Sequence, residues 1–121
     1  MTSDPLVKYA ELARRHATPN DGTRAWVRRV NRAADGMRSI AVQQLTGPAC
    51  DPTRFAGLLD AEDECIKLWA AHHLLELSPS LAPPIAAKAL AVIEHGAAGD
   101  SVEALGERMW LRDWHHRNAP H

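Results

Sequence analysis

The sequence predicts an all-α fold, and three observations carry that prediction. Apolar residues recur every three or four positions through most of the chain, the period of a helix with one buried face. Alanine and leucine outnumber the β-branched residues, a balance that favours helix over strand. Proline, glycine and helix-capping residues then punctuate the boundaries between the periodic stretches.

The first helix begins at Pro5, with Ser3 or Asp4 as its cap, because proline suits the first helical position. Leu6, Tyr9, Ala10, Leu12 and Ala13 form its apolar stripe, and Thr18-Pro19 ends it. Asn20-Asp21-Gly22 is a turn signal. Thr23 caps the longest helix, about 23 to 45, whose buried face reads Trp26, Val30, Ala33, Met37, Ile40/Ala41 and Gln44/Leu45, widened by Val27 and Ala34. Gly36 sits inside it at a cost of about 1 kcal/mol. Its outer face carries Arg24, Arg28, Arg29, Asn31, Arg32, Asp35 and Arg38.

Thr46-Gly47-Pro48 stops that helix, and a short one follows from Asp51-Pro52 through Arg54, Phe55, Leu58 and Leu59. The stretch Asp60–Pro79 organises the rest. Carboxylates at Asp60, Glu62, Asp63 and Glu64 favour a helix N-terminus, and Ser78-Pro79 closes the helix, predicted over 62–77. Ile66, Trp69, Ala70, His73, Leu74 and Leu77 share one side of it; Leu68, Ala71 and Leu75 lie nearly opposite. A helix apolar on two sides is packed between two layers. Beyond Ser80 a helix over 81–95 admits Pro83 and Pro84 only in its first turn, with Ile85, Ala89, Leu90, Val92 and Ile93 as its face. Asp100 or Ser101 caps a last helix, 101–117, with a Val102/Leu105/Met109 stripe and with Trp110, Leu111 and Trp114.

Helices 52–60 and 62–77, then 81–95 and 101–117, make two hairpins of the roughly 30 to 40 residues that a HEAT-type solenoid repeats. The expected architecture is a right-handed stack of about three helical hairpins, six helices in one domain over 1–121. A compact six-helix bundle stays open as the alternative.

Totals restrict function. The two cysteines, Cys50 and Cys65, form no CxxC and no disulfide framework. There is no signal-peptide pattern and no run near the roughly 20 apolar residues of a membrane span, so the expectation is a reduced, cytoplasmic protein without a membrane partner. Net charge is −1, but residues 1–50 carry eight Lys/Arg against four Asp/Glu, and residues 51–121 carry six against eleven. Such a dipolar chain can steer a charged partner.

No nucleophile elbow or phosphate loop is present, and Cys65 reads as a small buried apolar residue beside Trp69, so no catalytic residue is assigned and no enzyme is expected. Adjacent histidines of a helix diverge by about 100°, so His72-His73 and His115-His116 cannot each chelate one metal. His72 and Glu76 supply two ligands where zinc needs three or four, and no metal or other cofactor is expected. Asn31, Arg32 and Asp35 read as an internal polar brace. The arginine face, Arg24 to Arg38, is the basis of a second reading, nucleic-acid binding, against which stand the missing aromatic platform and the overall charge. Trp110 and Trp114 either fold back on the preceding hairpin or stand out as an interface anchor, which includes a homodimer contact.

A resemblance adds to this. LLDAEDECIKLWAAHHLLELSP resembles the HEAT-type phrase in which an acidic turn precedes an aliphatic residue, a basic residue and paired alanines, here Ile66, Lys67, Ala70 and Ala71. Asn31-Arg32 with Asp35, Leu68-Trp69-Ala70-Ala71-His72, and Met109 with Leu111-Arg112-Asp113-Trp114 together resemble a bacterial family of small proteins, domain of unknown function 2019. The likeness spans about residues 5 to 117; Lys67 stands where arginine is usual, and Trp110 where a smaller residue is. That family has no established reaction. The resemblance implies a HEAT-like protein-binding module, with immunity to a contact-delivered toxin as one role. In that role Glu62, Asp63, Glu64, His72 and Glu76, with Trp110 and Trp114, are the expected partner-binding residues, the carboxylates facing a basic toxin site.

Overall fold

The computed structural model describes residues 4–48, 50–78 and 81–118. The chain is all-α, with no strand among the described residues. Its elements are α1 (Pro5–His16), α2 (Arg24–Thr46), α3 (Pro52–Ala56), a 3-10 turn over Gly57–Asp60, α4 (Glu64–Leu77), α5 (Pro83–Gly96) and α6 (Val102–Arg117).

Side-chain caps set most of the helix starts. Asp4 accepts the Leu6 N–H at 2.9 Å, ahead of Pro5. Thr23 Oγ1 accepts the Trp26 N–H at 3.1 Å, Asp51 that of Arg54 at 3.1 Å, and Ser101 Oγ that of Ala104 at 3.0 Å. Each such bond contributes about 1 kcal/mol. Helix α4 begins at Glu64, later than the acidic run suggests, because Asp63 takes the cap position and accepts the Cys65 N–H at 2.9 Å. Asp60 instead ends the 3-10 turn and pairs with Lys88. Helix α5 has no side-chain cap, and Pro83 and Pro84 in its first turn bring no N–H that needs one. Ser3, Pro79 and Ser80, also expected at helix boundaries, lie outside the described residues.

Helix α4 runs through the middle of the molecule, against α1, α2 and α3 on one side and α5 on the other. Its first apolar arc meets α1: His73 bonds to Tyr9, and the Trp69 ring meets His16 edge-on at 4.8 Å. Its second arc meets α5, where Leu68 lies over Gly96 so closely that a Cβ there would stand 2.9 Å from Leu68 Cδ2. The α1–α2 hairpin uses the same device, with Leu12 Cδ1 only 2.8 Å from the place a Gly36 Cβ would occupy. Phe55 and Leu59, from α3 and the 3-10 turn, are buried in the same core, with Phe55 edge-on to Tyr9. Ala70 and Ala71 are both fully buried, so neighbours approach α4 on both arcs.

Three expectations need correction. The Val102/Leu105/Met109 stripe of α6 faces water, at 81%, 49% and 52% exposure. Helix α6 is rotated so that Ala104, Glu107, Trp110, Leu111 and Trp114 turn inward, because two indoles bury more area than the aliphatic stripe and the Trp110 N–H finds an acceptor in Glu76. Val27 is exposed rather than part of the α2 core face. Asn31, Arg32 and Asp35 are all exposed, and no hydrogen bond or ion pair joins them among the described residues, so they form no internal brace.

The two-sided packing of α4 yields a test. Ala70→Leu and Ala71→Leu, on different arcs, are each expected to destabilise by about 1–3 kcal/mol through overpacking. Ala91→Leu on exposed α5 surface should stay within about 0.5 kcal/mol of wild type. Urea denaturation of the three variants checks this.

Candidate functional site

Between its two packed arcs α4 leaves a seam. Leu68, Trp69, His72, His73 and Glu76 line a cleft there of about 240 Å³. The seam is where buried polar chemistry concentrates, because polar groups between two apolar layers must satisfy one another.

On the inner wall, the Tyr9 hydroxyl and His73 Nδ1 are 2.7 Å apart, and both residues are buried. Burial pushes the Tyr9 phenol far above its usual range, so it stays protonated and can donate to a neutral imidazole. Burial also lowers the His73 pKa from 6.5 to about 4, helped by the positive charge of Arg38 and by His72, and opposed by Glu76. Burial alone lowers His16 as well. Trp69 sits between these two imidazoles, its centroid 4.8 Å from His16 and 5.7 Å from His73.

On the outer wall, α6 is latched to α4 by two hydrogen bonds. His72 Nε2 lies 2.6 Å from Glu107 Oε2, and Trp110 Nε1 donates to Glu76 Oε1 at 2.7 Å. The Trp110 ring stands edge-on to His72 at 4.4 Å and stacks with Trp114 at 6.2 Å. One open disposition is thereby decided: Trp110 folds back on the preceding hairpin, with Trp114 half-buried beside it.

The structure thus brings together four of the expected partner-binding residues, His72, Glu76, Trp110 and Trp114. It leaves Glu62, Asp63 and Glu64 apart from them. Glu64 and Glu76 are separated by about 18 Å of helix. Asp63 is occupied as a cap, Glu64 pairs with Lys67 at 3.7 Å, and Glu62 is exposed. Glu62, Asp63 and Glu64 therefore form no single acidic surface with His72 and Glu76. Tyr9, Trp69 and Glu107 are members of the seam that the sequence reading did not assign to it. Glu107 was within reach, since it lies three residues before Trp110 on one helix face. The pairing of Tyr9 with His73, across 64 residues, leaves no local signal.

No cluster of three or more His, Cys, Asp or Glu fit to hold a metal occurs among the described residues. Cys65 is half-buried, and its thiol is held above the usual pKa, first by burial and then by Asp63 and Glu64, which makes it a poor nucleophile. Cys50 is exposed and free. No described helix is long and apolar enough to cross a membrane. Comparisons with protein-family models, curated proteins and solved structures return no match.

The depressed His73 value fixes a pH dependence. Between pH 6.5 and about 4 the unfolded chain binds a proton at His73 that the folded chain does not, so stability falls on acidification through that window. The loss attributable to His73 is about 3 kcal/mol. His73→Gln, which keeps an acceptor for Tyr9, is expected to flatten most of that slope in urea titrations run across the same pH range.

Proposed function

We propose that this chain is a non-enzymatic, HEAT-like helical module that holds a protein partner on the seam of α4. The observation that carries the reading is the cleft itself. Its volume of about 240 Å³ is below the roughly 300–1,000 Å³ of small-molecule sites and suits a single bulky apolar side chain. Its walls are a leucine, an indole and two imidazoles, with one carboxylate at the rim. Tryptophan is the residue type most enriched at interface hot spots, and Trp110 and Trp114 extend the aromatic wall onto α6. Serial packing of α1 on α2, α4 on α5 and α5 on α6 supports the stacked-hairpin reading.

In this reading the partner's anchor enters between Trp69 and His72, and Glu76 meets a donor beside the anchor. The family resemblance supplies the partner class, a toxin passed between bacteria, occluded stoichiometrically in the cytoplasm. The exposed carboxylates at Glu62 and Glu64 form a separate patch that would set encounter rate rather than seat the anchor. A second reading, phosphate tracking by α2, has one observation in its favour. Of Arg24, Arg28, Arg29, Arg32 and Arg38, all exposed, only Arg29 has an ion-pair partner among the described residues.

Affinity capture from the cytoplasm that makes the chain, wild type against Glu76→Arg, tests the proposal. A long side chain at position 76 obstructs the cleft, and the amount of the captured partner should drop at least about tenfold, the effect of losing one hot spot. Thermal melting should stay within a few degrees, because Glu76 is exposed and loses one hydrogen bond. Equal capture by the two proteins, or no specific partner, rejects the cleft as the binding site. Salt-sensitive binding of duplex or single-stranded oligonucleotides would favour the second reading instead.

A further inference from the structure

We infer that the groove between α1 and α2 is a binding site for a small amphiphilic anion, a carboxylate or phosphate head carried on an apolar body. The site is separate from the α4 seam and goes beyond the partner-holding reading. The groove has a volume of about 700 Å³, within the roughly 300–1,000 Å³ of sites for small organic ligands.

Its rim and its floor differ in chemistry. Lys8 and Arg15 from α1 face Arg29 and Arg32 from α2 across the opening, and no carboxylate lines it. The side chains of Lys8, Arg15 and Arg32 have no hydrogen-bond or ion-pair partner among the described residues. Arg29 meets Asp21 at 3.6 Å in an exposed pair, which contributes little. Four cations around one concavity focus a positive potential that a bound anion relieves. Below them lie Leu12, which covers Gly36, and Ala33, and the aliphatic stems of the four cations complete an apolar lining. That floor suits an apolar body and gives a wholly polar ion, such as free phosphate, nothing to bury. No aromatic ring lines the groove to stack a base, which disfavours a nucleic acid.

The test uses the whole chain and the anionic fluorophore anilinonaphthalene sulfonate, titrated at low salt and then displaced by dodecanoate below its micelle concentration. One saturable site is expected, displaced by dodecanoate at least about tenfold more effectively than by dodecanol, and weakened by raising salt from about 20 mM to about 500 mM. Arg32→Glu should weaken binding at least about tenfold, and Arg32→Gln by a smaller factor. Both variants change an exposed side chain, and circular dichroism verifies that they fold. Glu76→Arg should leave this binding unchanged, so the groove and the α4 cleft fail or stand independently. Absence of saturable binding, equal displacement by dodecanol, or an Arg32→Glu affinity within twofold of wild type overturns the proposal. So does binding only to anionic phospholipid vesicles or oligonucleotides, which would reassign the rim to a membrane surface or to a phosphate backbone.

Discussion

Leu68 rests on the bare backbone of Gly96 while, on the other flank of the same helix, His73 reaches Tyr9. Everything else in the molecule depends on α4 being held from both directions at once. A helix with one apolar stripe can be covered by one neighbour and still face water. Helix α4 cannot, and its fully buried alanines, Ala70 and Ala71, let the flanking helices close in on both arcs. Glycine performs the same service twice more cheaply than a cavity would, at Gly36 beneath Leu12 and at Gly96 beneath Leu68. At each of these helix contacts, α1 on α2 and α4 on α5, a leucine fills the space that a Cβ would have taken.

Enclosing a helix on two arcs concentrates its remaining polar residues along the strip between them. His72 and Glu76 occupy that strip, with His73 beside it on the first arc, and their partners arrive from different elements: Tyr9 from α1, Glu107 and Trp110 from α6. No buried side-chain nitrogen or oxygen is left unpaired among the described residues. The seam is therefore both the brace between layers and the main aromatic surface. A partner using it would meet side chains already fixed in place, so little conformational freedom is lost on association.

The helix starts were legible because capping is local: Asp4, Thr23, Asp51 and Ser101 act within three residues of themselves. The two arcs of α4 were legible from periodicity alone, since a helix with so little polar surface has to be sandwiched. The inward face of α6 was not. Its aliphatic and aromatic stripes are both apolar, and periodicity cannot say which one wins. The choice fell to Trp110 and Glu107, whose partners lie more than thirty residues away on α4. The Arg32 and Asp35 spacing misled for a related reason: geometry on one helix permits a pair, but exposed charges gain little from forming it. The groove between α1 and α2 also escaped the sequence reading, because its rim assembles from two helices with different registers.

The chain has four tryptophans, and three of them, Trp69, Trp110 and Trp114, line or adjoin the α4 seam, each in contact with an imidazole ring. Indole emission responds to the polarity and protonation of what touches the ring. The ultraviolet fluorescence of the unlabelled protein is thus dominated by one small region, leaving only Trp26 to report from elsewhere. Occupancy of the seam, or its loosening in acid, can be followed by colour and intensity without attaching a dye.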